Sequence, residues 1–100
     1  MGAIKGQMVR QVHNFKNTPA PKTLSISGTA ALSSALGAHE VLIQTTADCF
    51  FLVGATPVAT VAGGHFIPSG QAWAILVDPS HKLSAITSSA TGSFYISVTE

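Results

Sequence analysis

The side chains that could support chemistry in this chain are few and widely spaced. Metal binding or nucleophilic attack would use the four histidines and the single cysteine: His13, His39, His65, His81 and Cys49. No two histidines have the short spacing that would place both on one strand face, so we expect no metal site. Cys49 begins an apolar run, where cysteine usually behaves as a small buried hydrophobe. One cysteine also excludes an internal disulfide.

The carboxylates are as sparse as the histidines. They are Glu40, Asp48, Asp78 and Glu100, and no spacing pairs any two of them for acid–base catalysis. Asp48 and Asp78 adjoin turns, where an aspartate commonly accepts hydrogen bonds from nearby backbone. No serine lies in a Gly-x-Ser-x-Gly motif, and Gly63-Gly64 lacks the residues of a phosphate-binding loop. We therefore predict that the protein is not an enzyme and needs no cofactor.

The elements that would position these residues are short strands. Alternation of apolar and polar residues, or a short apolar run, predicts seven or eight of them. The candidate strands are Thr23–Ser27, His39–Thr46, Cys49–Val53, Val58–Ala62, His65–Ile67, Gln71–Val77, Lys82–Thr87 and Phe94–Thr99. Strands about ten residues apart favour an all-β fold, an antiparallel β-sandwich or a jelly-roll-like barrel. Between the first two strands, Thr29–Leu36 fits a helical turn or a loop equally well.

Apolar positions on the longest strands predict the core. We expect the interior to include Phe51, Trp73, Ile75, Phe94 and Ile96. Trp73 is the only tryptophan, and the small residues on the other face of its strand suggest that a second layer approaches closely there. The alternative for Trp73 is a ligand platform formed together with Tyr95.

Charge divides the chain into two parts. Charged residues make up only 9% of the sequence, against roughly 25% in an ordinary domain. Four of the five basic residues fall within residues 1–22, which contain no acidic residue. We expect residues 1–22 to form an extended basic arm and residues 23–100 the β-sandwich domain. The candidate partner-binding residues of the arm are Lys5, Arg10, Phe15, Lys16 and Lys22.

The arm has two interpretations, a solvated tail or a segment that lies on an acidic partner surface. Gln7–Val12 could also add a strand to a sheet. Its basic residues are too sparse for a nucleic-acid site, so no nucleic acid is expected. The most apolar run, from Cys49 to Gly64, is short and interrupted by Pro57, so no membrane association is expected. The low charge of the body favours a protein that packs within an assembly.

A series of turn and strand motifs in residues 41–100 resembles small structural proteins of tailed-phage virions. In order, these motifs are Thr45-Thr46-Ala47-Asp48-Cys49, Val53-Gly54-Ala55-Thr56-Pro57-Val58-Ala59-Thr60, Phe66-Ile67-Pro68-Ser69-Gly70, Pro79-Ser80-His81-Lys82-Leu83-Ser84-Ala85-Ile86, and Gly92-Ser93-Phe94-Tyr95-Ile96-Ser97-Val98-Thr99-Glu100. The chain departs from that group at Ile67, where leucine is usual, and at His81, where Gly or Asp commonly precedes the lysine.

The resemblance implies a virion structural protein, foremost a capsid decoration or cement protein. Such a protein is made in the host cytoplasm and binds the outer surface of the capsid. Its partners would be the major capsid protein and neighbouring copies of itself, with a homotrimer as one arrangement. One alternative is a low-copy neck or tail component of the phage. An alternative of another class is a carbohydrate-binding β-sandwich module, which would need exposed aromatic side chains in a groove.

Overall fold

The computed structural model describes residues 15–99, which contain eight β-strands and no helix. The strands are β1 Lys22–Ile26, β2 Ala31–Leu32, β3 Glu40–Thr45, β4 Cys49–Gly54, β5 His65–Ile67, β6 Ala72–Leu76, β7 Lys82–Ile86 and β8 Gly92–Val98. Among these residues no helix is long and apolar enough to cross a membrane.

The strands form two four-stranded antiparallel sheets. The first sheet has the order β1-β8-β3-β6 and the second the order β2-β7-β4-β5. Each sheet therefore combines strands that are distant in sequence, as expected of a sandwich rather than a simple meander. The predicted all-β class, an antiparallel β-sandwich, is confirmed.

The core lies between the two sheets and is built from the alternating inward positions of both. Phe94 and Ile96 of the first sheet are almost fully buried, and Phe51 of the second sheet is 5% exposed. The rings of Phe51 and Phe94 have centroids 6.1 Å apart, so the two layers meet at this pair. Trp73 and Ile75 are half-buried and pack against the rim of the same cluster.

The prediction of a strand at Val58–Ala62 is wrong, because residues 55–64 form a loop over the outside of the second sheet. The backbone N–H of Ala59 donates a hydrogen bond to Oγ of Ser84 at 2.9 Å. Ala59 is 1% exposed and Ser84 is equally buried, although the Ser84 side chain points away from the core. The N–H of Ala59 thus bonds to a side chain instead of to the backbone of a neighbouring strand. The apolar pattern of residues 58–62 does not indicate this bond.

A tight turn over Pro68 to Gln71 leads into β6. Gln71 N donates to the carbonyl oxygen of Pro68 at 3.2 Å, which makes Ser69 and Gly70 the central residues of this turn. Gly70 has φ +83°, the value that a type II turn requires at its second central position. The left-handed conformation of Gly70 therefore determines both the type and the position of the turn.

The residues just before β1 contact the body of the domain. Lys16 N donates to the carbonyl oxygen of Val98 at 2.9 Å. Pro19 lies so close to Gly37 that a Cβ on that glycine would be 2.9 Å from Cγ of the proline. Lys22 begins β1, and Phe15 is exposed. The remaining candidate arm residues, Lys5 and Arg10, lie outside the described residues.

Candidate interaction surfaces

The turn between β3 and β4 holds three parts of the chain together. Asp48 Oδ1 accepts a 2.7 Å hydrogen bond from the backbone N–H of Ser69, and Ser69 Oγ donates to the carbonyl oxygen of Thr46 at 2.9 Å. Thr46 Oγ1 accepts from Ser93 N at 2.9 Å, and Thr46 N donates to the carbonyl oxygen of Ser93 at 3.0 Å. These bonds connect the β3–β4 turn to the turn before β6 and to the start of β8.

The residue motifs quoted above therefore meet in space. Asp48 and Ser69 belong to two of them, and Ser93 to a third, while Ala59 and Ser84 connect the remaining two. In each of these bonds a side chain of Thr46, Asp48, Ser69 or Ser84 binds a backbone group. The motifs thus fix turns and loops.

The described titratable side chains do not gather at one site. Within residues 15–99 there is no group of three potential metal ligands and no pocket. Burial raises the pKa of the Cys49 thiol above its ordinary value; the charge of Asp48 adds to this rise, and a hydrogen bond with Thr45 opposes it. Hydrogen bonds from the side chain and backbone of Ser80 lower the pKa of Asp78.

The outside of the second sheet, together with the loop of residues 55–64, forms an apolar surface that we call the loop face. Phe50 and Phe66 are cross-strand neighbours there, with ring centroids 5.2 Å apart. Four large apolar side chains of this surface are exposed: Leu32, Val58, Val61 and Phe66. Phe50, Leu52 and Ile86 are half-buried beside them. Val58, in the loop, is 68% exposed. Such a concentration of exposed apolar side chains is characteristic of a contact surface.

The outside of the first sheet, which we call the open face, is almost uncharged. Its outward positions carry mainly hydroxyl and small side chains, with Leu42, Leu76 and Tyr95 as the large ones. Leu76 is 83% exposed. Glu40 is the only charged side chain among the outward positions of these four strands. The close second layer that we expected opposite Trp73 is not formed by any described residue, because Ala72 and Ala74 are exposed.

Trp73 and Tyr95 do not form a common platform. Trp73 is paired with Ile43 and points inward, where its ring packs edge-on against Phe51 at 6.2 Å between centroids. Tyr95 is paired with Gln44 and points outward on the open face. The two aromatic side chains therefore lie on opposite sides of one sheet. Alternation along each strand was sufficient to predict that Trp73 points inward and Tyr95 outward. It did not show that their two strands belong to the same sheet.

The chain matches no protein-family model, and searches of curated proteins and of solved structures found no match.

Proposed function

We propose that this chain is a capsid decoration or cement protein of a tailed bacteriophage. It binds the outside of the shell formed by the major capsid protein, through its β-domain, and contacts neighbouring subunits with its N-terminal arm. The proposal rests on the resemblance of the motifs in residues 41–100 and on the character of the surface. The single observation that carries it is the loop face, with four large apolar side chains exposed.

The loop face suits a shell of other subunits for a physical reason. Burying the side chain of a Val or Leu contributes about 1.5–3 kcal/mol, and a few such contacts are enough when many copies bind a repeating surface. The low charge of the body leaves little to oppose close packing. The loop itself is fixed by the Ala59–Ser84 hydrogen bond, so little conformational entropy is lost when it docks.

Copy number separates this proposal from its nearest alternative. Purified particles should contain hundreds of copies of the chain, measured by quantitative mass spectrometry against the major capsid protein. A dozen or fewer copies would support a neck or tail component and would end the decoration proposal. The carbohydrate-binding alternative has lost its main support, because Trp73 and Tyr95 lie on opposite sides of the first sheet.

A pair of matched variants tests which surface binds. Val58→Lys places one charge on the loop face at an exposed position, and Thr91→Lys places the same charge in the exposed turn before β8. Particles lacking the protein should bind Thr91→Lys as they bind the unaltered chain, and Val58→Lys at least ten times more weakly. Equal binding by the two variants would remove the loop face from the proposal.

The arm is tested by deletion of residues 1–14. This boundary keeps Lys16, whose N–H is bonded to Val98, and Pro19, which packs on Gly37. The truncated domain should unfold at nearly the same urea concentration as the full chain but bind particles more weakly. Unfolding at a much lower urea concentration would show that residues 1–14 belong to the folded core.

A further inference from the structure

Strand β6 has an open edge. Val77 N donates to the carbonyl oxygen of His39 at 2.8 Å. Ile75 and Trp73 lie two and four residues earlier in the strand, so their backbone groups also point to β3. In an antiparallel ladder the intervening residues direct their N–H and C=O groups to the other side. Those residues are Ala72, Ala74 and Leu76, and no described residue pairs with that side of β6.

This edge differs from the other three sheet edges among the described residues. Edge strand β1 contains Lys22 and follows Pro21, β2 has two residues, and β5 has three. Strand β6 has five residues, and all of them are uncharged and free of proline and glycine. Proteins normally protect a strand edge by charge, proline or shortness, because an unprotected edge pairs with another chain. The edge of β6 has none of these protections.

The charges around β6 indicate what kind of strand it receives. Asp48 is bonded to Ser69 just before β6, Asp78 follows β6, and Glu40 is the cross-strand neighbour of Leu76. Three of the four carboxylate side chains of the whole sequence therefore lie at the two ends of this strand. The lysine of this sheet, Lys22, is on the opposite edge, in β1. A basic strand complements such an edge.

We propose that the open edge of β6 receives residues 7–12 of a second copy of this chain, Gln-Met-Val-Arg-Gln-Val. The segment around them contains Lys5 and Arg10 and no acidic residue. An added strand there also covers the exposed side of Trp73, which is half-buried at the rim of the core. This inference deepens the proposed function, because it states how neighbouring copies are joined.

Chain length assigns the strand to a second copy. Thr99 N donates to the carbonyl oxygen of Glu40 in β3, so the backbone groups of the preceding residue, Val98, point to the β1 side of β8. On that side the carbonyl oxygen of Val98 accepts a hydrogen bond from Lys16 N. From that position a strand added beyond β6 is four strand spacings away, about 19 Å. Only residues 13–15 connect Val12 to Lys16, and four extended steps span at most about 14 Å. Residues 7–12 of the same copy therefore do not reach the edge.

Sedimentation of the full chain tests the inference with two proline variants. Ala74→Pro removes an N–H that points to the open edge of β6. Ser25→Pro removes the equivalent N–H on the free edge of β1, since Ser25 lies out of phase with the bonded pair Leu24–Phe94. The unaltered chain and Ser25→Pro should both associate as concentration rises, and Ala74→Pro should stay monomeric. An unaltered chain that is monomeric at every concentration, or equal behaviour of the two variants, overturns the inference.

Disulfide trapping gives a second measurement that does not depend on how Ala74→Pro folds. A chain carrying Ala74→Cys is mixed with a differently sized chain carrying Met8→Cys, Val9→Cys or Arg10→Cys, because paired strands bring Cα atoms within disulfide range. At least one mixture should give the mixed dimer, and Ser25→Cys in place of Ala74→Cys should give none. Absence of every mixed dimer overturns the inference. So does an intramolecular disulfide in a chain that carries both substitutions.

These experiments use no phage particles, so they fail independently of the proposed function. If Ala74→Pro is monomeric and particles still lack hundreds of copies, the strand exchange stands and the decoration role is wrong. If copy number is high and Ala74→Pro sediments like the unaltered chain, the decoration role stands and the strand exchange is wrong.

Discussion

The backbone N–H of Ala59 donates a 2.9 Å hydrogen bond to Oγ of Ser84, a residue 25 positions further along the chain. Both residues are 1% exposed. This bond ties the loop that carries Val58 and Val61 to β7, and the N–H groups of Gly63 and Gly64, which both donate to Thr60, close the end of the same loop.

Replacing Ser84 by alanine should therefore destabilise the whole domain. The buried N–H of Ala59 loses its acceptor, and an unsatisfied buried donor costs about 1–3 kcal/mol. Urea unfolding followed by Trp73 fluorescence measures the loss. Ser97→Ala, on the open face, is the control and should change the free energy of unfolding by less than about 0.5 kcal/mol. A neutral Ser84→Ala would mean that water replaces the hydroxyl.

Two glycines provide a matched test of packing under the loop. A Cβ at Gly64 would be 2.7 Å from Cβ of Phe50 and 3.0 Å from the carbonyl oxygen of Thr60, whereas a Cβ at Gly54 would have no atom within 4 Å. Gly64→Ala should cost about 1–3 kcal/mol as an overpacked position. Gly54→Ala should gain about 0.5 kcal/mol, because glycine is unfavourable within a strand. Thermal unfolding of both variants checks the opposite signs, and a stable Gly64→Ala would contradict the close approach of the loop.

Asp78 should make the free energy of unfolding depend on pH in the acidic range. Its pKa is lowered in the folded protein by the hydrogen bonds from Ser80, which favour the charged form. Because the pKa of Asp78 is lower in the folded state, the carboxylate stabilises the fold at pH values above its unfolded-state pKa, near 3.9. That stabilisation is lost as the pH falls through the folded-state pKa. The difference in stability between the unaltered chain and Asp78→Asn should thus shrink as the pH is lowered toward 2. A difference that stays constant over this range would exclude the linkage.

Cys49 should react only when the domain opens. Its side chain is fully buried, and burial raises the pKa of the thiol. Because the thiol has a higher pKa in the folded state than in the unfolded state, its contribution to stability is complete at lower pH and is lost as pH rises. The free energy of unfolding should therefore fall above about pH 8.5. Labelling by a thiol reagent at pH 8 should be slow in buffer and rapid in urea. Cys49→Ala should remove the alkaline dependence attributed to the thiol, while rapid labelling of the native protein would contradict the burial.

Much of the fold could be predicted from residue alternation. The inward set Phe94, Ile96 and Val98 is readable because strand side chains alternate with a period of two. Strand β2 was not predicted, since Ala31–Leu32 is too short to carry a pattern. The loop at residues 55–64 was mistaken for a strand at Val58–Ala62, because its apolar residues have the composition of a strand. Its backbone bonds instead to the Ser84 side chain and, at Gly63 and Gly64, to Thr60.

The sequence by itself determined the strand character, the low charge and the concentration of basic residues before β1. Tertiary structure alone decided which surfaces these features form. Pairing between distant strands placed β6 at an edge, separated Trp73 from Tyr95, and brought Asp48 and Glu40 to the ends of the strand that Asp78 follows. Alternation is a local property of the chain. Strand order depends on contacts between residues far apart in sequence, which alternation along a single strand does not specify.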